Sequence, residues 1–202
     1  MNRQQALDNL QASMADCRRC PLCQKRRHIV FGKGNPQARI MLVGEGPGAE
    51  EDARGIPFVG KAGQLLDKII DAAGLPRQDI YICNVVKCRP PGNRLPTEEE
   101  TAACKPFLRE QIRIVRPAMI ISLGALAGRV LLDDRDFRIG KNRGQWRQRG
   151  AFPVLLTYHP AALLRDESKK RPVWEDFLQA ATKYNTIAAG TKPVENEDGS
   201  GV

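Results

Sequence analysis

Four short runs of apolar, often β-branched residues punctuate the chain: ARIMLVG (38–44), DIYICNVVKC (79–88), AMIISLG (118–124) and PVLLTYHP (153–160). Each is brief and nearly unbroken, as strands buried on both faces are. Between them the apolar positions recur at helical spacing. In GKAGQLLDKIIDAAG they fall at Leu65, Leu66, Ile69, Ile70 and Ala73, and Gly74 is placed to end the helix. Thr97 and Glu100 form a capping box that opens a helix over TEEETAACKPFLREQIRIV. Residues Ala125 to Leu132 read as a helix after the third strand, and VWEDFLQAATKY as a last one. The N-terminal MNRQQALDNLQASMADC reads as an amphipathic helix. Strands alternating with helices predict the α/β class: a three-layer α/β/α domain with a central, mostly parallel four-stranded sheet. The chain of 202 residues is long enough for one such domain. We expect that domain to cover residues 1–187, and residues 188–202, ending in the polar TKPVENEDGSGV, to form a disordered tail.

In such sheets ligands bind beyond the carboxyl ends of the strands. That rule brings four loops together: Gly44 to Gly48, Asn84 to Cys88, Ser122 to Ala125, and Tyr158 to Pro160. The first loop opens GEGPGAEEDARGIPFVG, and the last carries His159, one of two histidines. Gly44, Gly46 and Ala49 match the spacing of a dinucleotide-binding turn. The rest of the loop argues against a phosphate. Pro47 removes a backbone donor, and Glu50, Glu51 and Asp52 would repel a pyrophosphate. The acid that would bind a ribose about twenty residues on is missing. A nucleotide-binding enzyme is therefore disfavoured. Two of these three acids fit the solvated first turn of a helix, where they suit the dipole. Glu45, directly after the strand, is harder to explain that way.

Composition narrows the partner. The hydrophobic content of 42% is ordinary, and no apolar run is long enough to span a membrane. No signal-peptide core opens the chain, so we expect a cytoplasmic protein. Lys and Arg total 32 against 23 Asp and Glu, a net charge of +9 that suits a nucleic acid backbone. Six cysteines in such a chain point to a metal centre or buried thiols rather than disulfides. Cys17 and Cys20 form a C-x-x-C, with Cys23 close behind, and Cys88 and Cys104 lie far downstream. Cys83, inside the second apolar run, reads as a buried thiol. Four such cysteines suit either zinc or a [4Fe–4S] cluster, and spacing does not separate the two.

Taken together, GEGPGAEEDARGIPFVGKAGQLLD (44–67), YICNVVKCRPPGNRLP (81–96) and YHPAALLR (158–165) resemble the iron–sulfur, type 4 uracil-DNA glycosylases. The order Cys17, Cys20, Cys88, Cys104 fits that family too, and the resemblance implies that these four hold a [4Fe–4S] cluster. It also implies an enzyme that flips uracil out of single- or double-stranded DNA and hydrolyses its N-glycosidic bond, leaving an abasic site. Phe58 then stacks on the base, and Asn84 reads its edge with a donor and an acceptor. Gly44 and Gly46 border the base, with Gly46 leaving it room. His159 resembles the histidine that stabilises the leaving uracil anion. Glu45, and second Glu51, are the candidates to handle water and face the sugar cation. Leu163 or Leu164 wedges into the DNA, beside Arg165 at phosphate. Arg89 and Arg94 are further phosphate contacts, as are Lys87, Lys169, Lys170 and Arg171. The cluster is expected to tie the N-terminal segment to the loop after Cys88. A monomer is expected. The rival reading is a non-catalytic, zinc-containing nucleic-acid-binding module.

Overall fold

A computed structural model describes residues 1–190. The chain runs α1 (Arg3–Ala12), β1 (Lys33–Gly34), β2 (Ile40–Gly44), α2 (Ala49–Arg54), α3 (Lys61–Ala72), β3 (Ile80–Asn84) and α4 (Glu98–Val115). It continues with β4 (Met119–Leu123), α5 (Ala125–Leu132), α6 (Ile139–Asn142), β5 (Trp146–Arg149), β6 (Phe152–Thr157), α7 (Pro160–Arg165) and α8 (Lys170–Gly190). The last helix thus runs through Gly190, and the rest of the expected tail lies outside the described residues. Among the described residues no helix is long and apolar enough to cross a membrane.

The four expected strands form the parallel centre of the sheet, in the order β3-β2-β4-β6. Two more strands extend it. β1 pairs antiparallel to β3 at one edge, and β5 pairs antiparallel to β6 at the other. Neither has an apolar signature: β1 has two residues, and β5 is WRQR with its last three residues exposed. Polar, short strands are what a sheet edge tolerates.

The two faces of the sheet are both buried. On β2, Met41 and Val43 pack into one core with Leu108, Val115 and Val130. Ile40 and Leu42 pack into the other, with Leu66, Ile70 and Phe177. This alternation follows from the two-residue period of a strand, and helices on both sides make every position apolar. The helix signals behave as read. Glu100 N–H donates to Thr97 Oγ1 at 3.2 Å, and Thr97 N–H donates to Glu100 Oε2 at 2.8 Å. Gly74 sits at φ +69° just past α3, and the Leu75 N–H donates back to the Ile70 carbonyl at 3.2 Å.

The second apolar run extends to Cys88, but β3 ends at Asn84, where the loop Asn84 to Cys88 was expected to begin. Beyond it the Val85 and Val86 N–H groups donate to the Gly44 and Glu45 carbonyls at 2.9 and 3.3 Å. This extension holds the turn after β2 in place. From β2 the chain crosses to β3 on one side and later returns to β4 on the other. The switch point of the sheet therefore falls at the end of β2, where Gly44 and Glu45 lie.

Candidate active site

At that switch point a cleft of about 480 Å³ opens, within the size range of small-ligand sites. Glu45, Gly46, Glu51, Phe58, Asn84, His159 and Arg165 all line it. Residues spread over 120 positions of sequence thus share one cavity, as the topology predicted. The loop Pro90–Pro96 supplies the remaining wall, including Arg94. Sequence reasoning did not name Leu95, which is 61% exposed on that wall.

Phe58 and His159 face each other with ring centroids 5.7 Å apart and planes inclined by 29°. Phe58 adopts φ 54°, a strained backbone for an aromatic residue, and such strain clusters at functional sites. Gly44 makes this arrangement possible. A Cβ there would lie 2.6 Å from Phe58 Cζ and would strike Asn84 Oδ1. Gly46 lines the cleft, and a Cβ on it would also lie 2.9 Å from Val86 Cγ2, so the protein itself occupies the space on that side. Asn84 is 1% exposed, and its Oδ1 has no hydrogen-bond partner among the described residues. A buried acceptor without a donor is rare in folded proteins and calls for a cause.

The two candidate carboxylates differ. Glu51 Oε1 accepts from the Val59 and Gly60 N–H groups, both at 2.9 Å, and Oε2 accepts from the Gly48 N–H at 3.1 Å. Both of its oxygens are engaged in shaping the loop that presents Phe58. Glu45 reaches across to the start of α5, where Oε1 accepts from the Leu126 N–H at 3.0 Å. It lies over Gly124, where a Cβ would come within 2.8 Å of its carboxyl carbon. Burial pushes the Glu45 carboxyl above the usual range, against the pull of the Leu126 and Ala125 amides and Arg165. Of the neighbouring acids, Glu50 is exposed, but Asp52 is buried and accepts from the Arg27 N–H at 2.9 Å. Asp52 is therefore an anchor for the N-terminal segment, which its place in an acidic run concealed.

His159 is the N-cap of α7, and its Nδ1 accepts from the Ala161 N–H at 3.1 Å. The ring proton of the neutral form is thereby placed on Nε2. Burial, and next the charge of Arg165, press the imidazole down to about 4, so it is neutral at physiological pH. The unfolded chain binds this proton at about 6.5. Between those values the unfolded state holds more protons, so stability falls as pH falls through the window. Glu45 acts with the opposite sign, because its raised value favours the protonated native state. Urea midpoints of wild type minus His159→Ala should isolate the histidine: we expect that difference to shrink as pH drops from 7 to 4.5. A difference constant with pH would show that His159 does not titrate this way.

The expected DNA-contacting residues separate. Leu163 is 1% exposed and belongs to the core with Phe177 and Leu66, so it is not a wedge; Leu164, at 50%, is the exposed one. The short helix α7 docks through one face, and only one of two consecutive leucines can point inward. Lys87 is fully buried, which excludes it as a phosphate contact. Arg94 is held by Glu100 in a bidentate pair at 2.7 and 2.8 Å, and Arg89 Nε donates to Asn93 Oδ1 at 2.7 Å. Lys169, Lys170 and Arg171 pair with Asp166, Glu167 and Glu175. Arg165 remains exposed beside the cleft.

A second, small cavity lies behind the cleft. Cys17, Cys20, Cys88 and Cys104 all line it, as does Cys23. Arg26 donates to the Cys17 carbonyl at 2.7 Å and approaches Cys88 Sγ at 3.5 Å. Burial pushes the Cys88 thiol up to about 11 and raises Cys20 and Cys104 as well. Cys83 is fully buried in β3 away from this cavity, as expected of a structural thiol.

The family model of the uracil DNA glycosylase superfamily matches residues 31–180, which include every residue lining the cleft but leave out Cys17, Cys20 and Cys23 of the second cavity. The chain belongs to that superfamily. Within it the chain is similar along nearly its whole length to the type-4 uracil-DNA glycosylases, and it is a member of that family. It is 46% identical over 183 residues to the type-4 uracil-DNA glycosylase of Thermotoga maritima, covering 88% of this chain and 94% of that one. The corresponding protein of Pyrobaculum aerophilum is 44% identical over 178 residues, 85% of this chain and 91% of that one. That of Saccharolobus solfataricus is 41% identical over 197 residues, 93% and 88% of the two chains. The α/β/α fold expected from strands alternating with helices is the one observed, with six strands in the sheet where four were expected.

Proposed function

We propose that this protein is a DNA repair glycosylase: it binds uracil flipped out of DNA, hydrolyses the N-glycosidic bond and leaves an abasic site. The observation that carries the reading is the Asn84 Oδ1, without a hydrogen-bond partner among the described residues, at the cleft beside the Phe58 ring. A uracil N3–H is the kind of donor that would satisfy it, and the amide NH₂ would meet the neighbouring O4. Phe58, strained and facing into the cleft, is suited to stack on the base.

Breaking the bond builds negative charge on the uracil and positive charge on the sugar. A neutral His159 with its proton on Nε2 is suited to donate to the uracil O2 as that anion forms. Glu45 is favoured over Glu51 as the residue that orients water and faces the sugar cation. Glu51 already accepts three N–H groups on its two oxygens, while Glu45 is anchored by the start of α5 and keeps more accepting capacity. Leu164, exposed on α7, and the next residue Arg165, exposed at the cleft, are the proposed wedge and phosphate contact.

Cys17, Cys20, Cys88 and Cys104 are the proposed ligands of a [4Fe–4S] cluster. Among the described residues no group of three or more His, Cys, Asp or Glu side chains is close enough to hold one metal ion. Yet five cysteines surround one cavity. Each iron of a cluster takes a single thiolate, so its ligands stand further apart than those of one zinc, and the donor set fits the cluster better. When bound, the cluster would supply a structural tie between the N-terminal segment and the chain after β3.

The test is a labelled oligonucleotide with a single uracil, incubated with the protein and treated with alkali. Cleavage at the uracil, and not at a thymine in the same position, is expected; an uncut strand would refute the activity. Leu163 and Leu164 supply a paired check. Leu163→Ala is expected to destabilise by about 2–5 kcal/mol through a core cavity. Leu164→Ala should leave the melting temperature unchanged and weaken excision from duplex DNA. The opposite pattern would reverse which leucine meets DNA.

A further inference from the structure

Lys87 has no exposed surface at all; it lines the cysteine cavity and is hydrogen-bonded to Asn84, which lines the cleft. Its side chain lines the cysteine cavity, next to Cys88 and Cys104. Its Nζ donates to the Asn84 carbonyl at 2.7 Å and to Gln111 Oε1 at 2.5 Å. Gln111 is held in turn, its Nε2 donating to the Phe31 carbonyl at 2.9 Å and to the Tyr81 hydroxyl at 3.2 Å. No carboxylate pairs with Lys87 among the described residues. The ion pairs that the buried Asp176 and Glu100 make, with Arg143 and Arg94, have no counterpart here. An ammonium in a dry interior with neutral partners only is strongly disfavoured unless an anion lies near. The groups able to become anions that share its cavity are sulfurs, those of Cys17, Cys20, Cys23, Cys88 and Cys104. The inorganic sulfides leave the iron–sulfur core with less positive charge than four thiolates carry negative, so a thiolate-ligated cluster is an anion on the scale that Lys87 needs.

We propose that Lys87 is a positioning residue that joins the cysteine centre to the uracil pocket. Its buried ammonium is balanced by the thiolate-ligated cluster, and through Nζ it fixes the main chain of Asn84. The inference rests on the reading of Cys17, Cys20, Cys88 and Cys104 as cluster ligands. It gives the cluster a second role besides tying segments together. Without the anion, the lysine loses its counter-charge, and the residue that reads the base loses its main-chain anchor.

Two substitutions in the holoprotein separate charge from hydrogen bond. Lys87→Met removes both, and Lys87→Gln removes the charge but keeps an N–H donor. A cation favours the more negative, reduced cluster, so both variants should shift the midpoint potential in a dye-mediated titration to more negative values. Lys87→Met should also raise KM for the uracil oligonucleotide about ten- to a hundredfold with kcat nearly kept, and Lys87→Gln should recover most of that loss. An unchanged potential with unchanged KM in Lys87→Met would overturn the proposal. If neither variant folds, hydrogen exchange on the wild type decides. Stripping the cluster should speed exchange at the Val85 and Val86 amides, and loosening confined to the N-terminal segment would overturn the coupling. Failure of the underlying reading looks different: wild-type protein purified without oxygen would lack the visible absorbance of an iron–sulfur cluster.

Discussion

Replacing His159 with alanine is expected to lower kcat by about 10²–10³ while KM changes far less. The imidazole serves the leaving group only as its negative charge develops, so its loss falls on the transition state and not on ground-state binding. The geometry sets the chemical form. The Ala161 N–H occupies Nδ1, which leaves Nε2 as the donor, and the depressed basicity keeps the ring neutral. A neutral donor loses less on desolvation than an imidazolium would, and it pairs with an anion without prior protonation. The same change removes an N-cap, so a stability loss of about 1 kcal/mol accompanies it. That loss is too small to unfold the protein, and circular dichroism of the variant checks this. A variant with normal kcat and raised KM would make His159 a binding residue only.

The second large effect separates the two glutamates. Glu45→Gln is expected to lower kcat by about 10²–10⁴, with a melting temperature close to wild type. The amide oxygen can still accept the Leu126 N–H, so the start of α5 stays capped. Glu51→Gln should act in the reverse sense. Its amide NH₂ would face backbone N–H groups now met by an oxygen, leaving at least one of them unsatisfied at a cost of about 1–3 kcal/mol. Turnover should fall there too, but together with stability, because the loop that presents Phe58 loosens. In wild type, kcat should drop on the acid side at a pH above the ordinary carboxylate range, since burial raises Glu45 and a base must be ionised. Loss of that acid limb in Glu45→Gln would tie it to this carboxylate. Full turnover in Glu45→Gln, with a stable but inactive Glu51→Gln, would exchange the two roles.

The parallel strands, the main helices and their caps, and the convergence of four loops at one edge of the sheet are all legible in the sequence. They depend on local periodicity and on nearest-neighbour chemistry: two-residue and 3.6-residue patterns, Thr97 with Glu100, and Gly74 after α3. The motifs brought Glu45, Asn84, Phe58 and His159 forward by name, and all four line one cleft. Only the tertiary structure decided how individual side chains are committed. Leu163 and Leu164 are chemically identical, and the docking of α7 alone turns one into the core and the other to solvent. Glu45, in the turn after β2, and Glu51, in α2, are six positions apart, yet their partners differ because one reaches Leu126, 81 residues away. Lys87 reads as a surface cation until Gln111, 24 residues on, closes over it. Periodicity says which face of an element is apolar, but a polar side chain takes its role from partners that the fold brings from far along the chain.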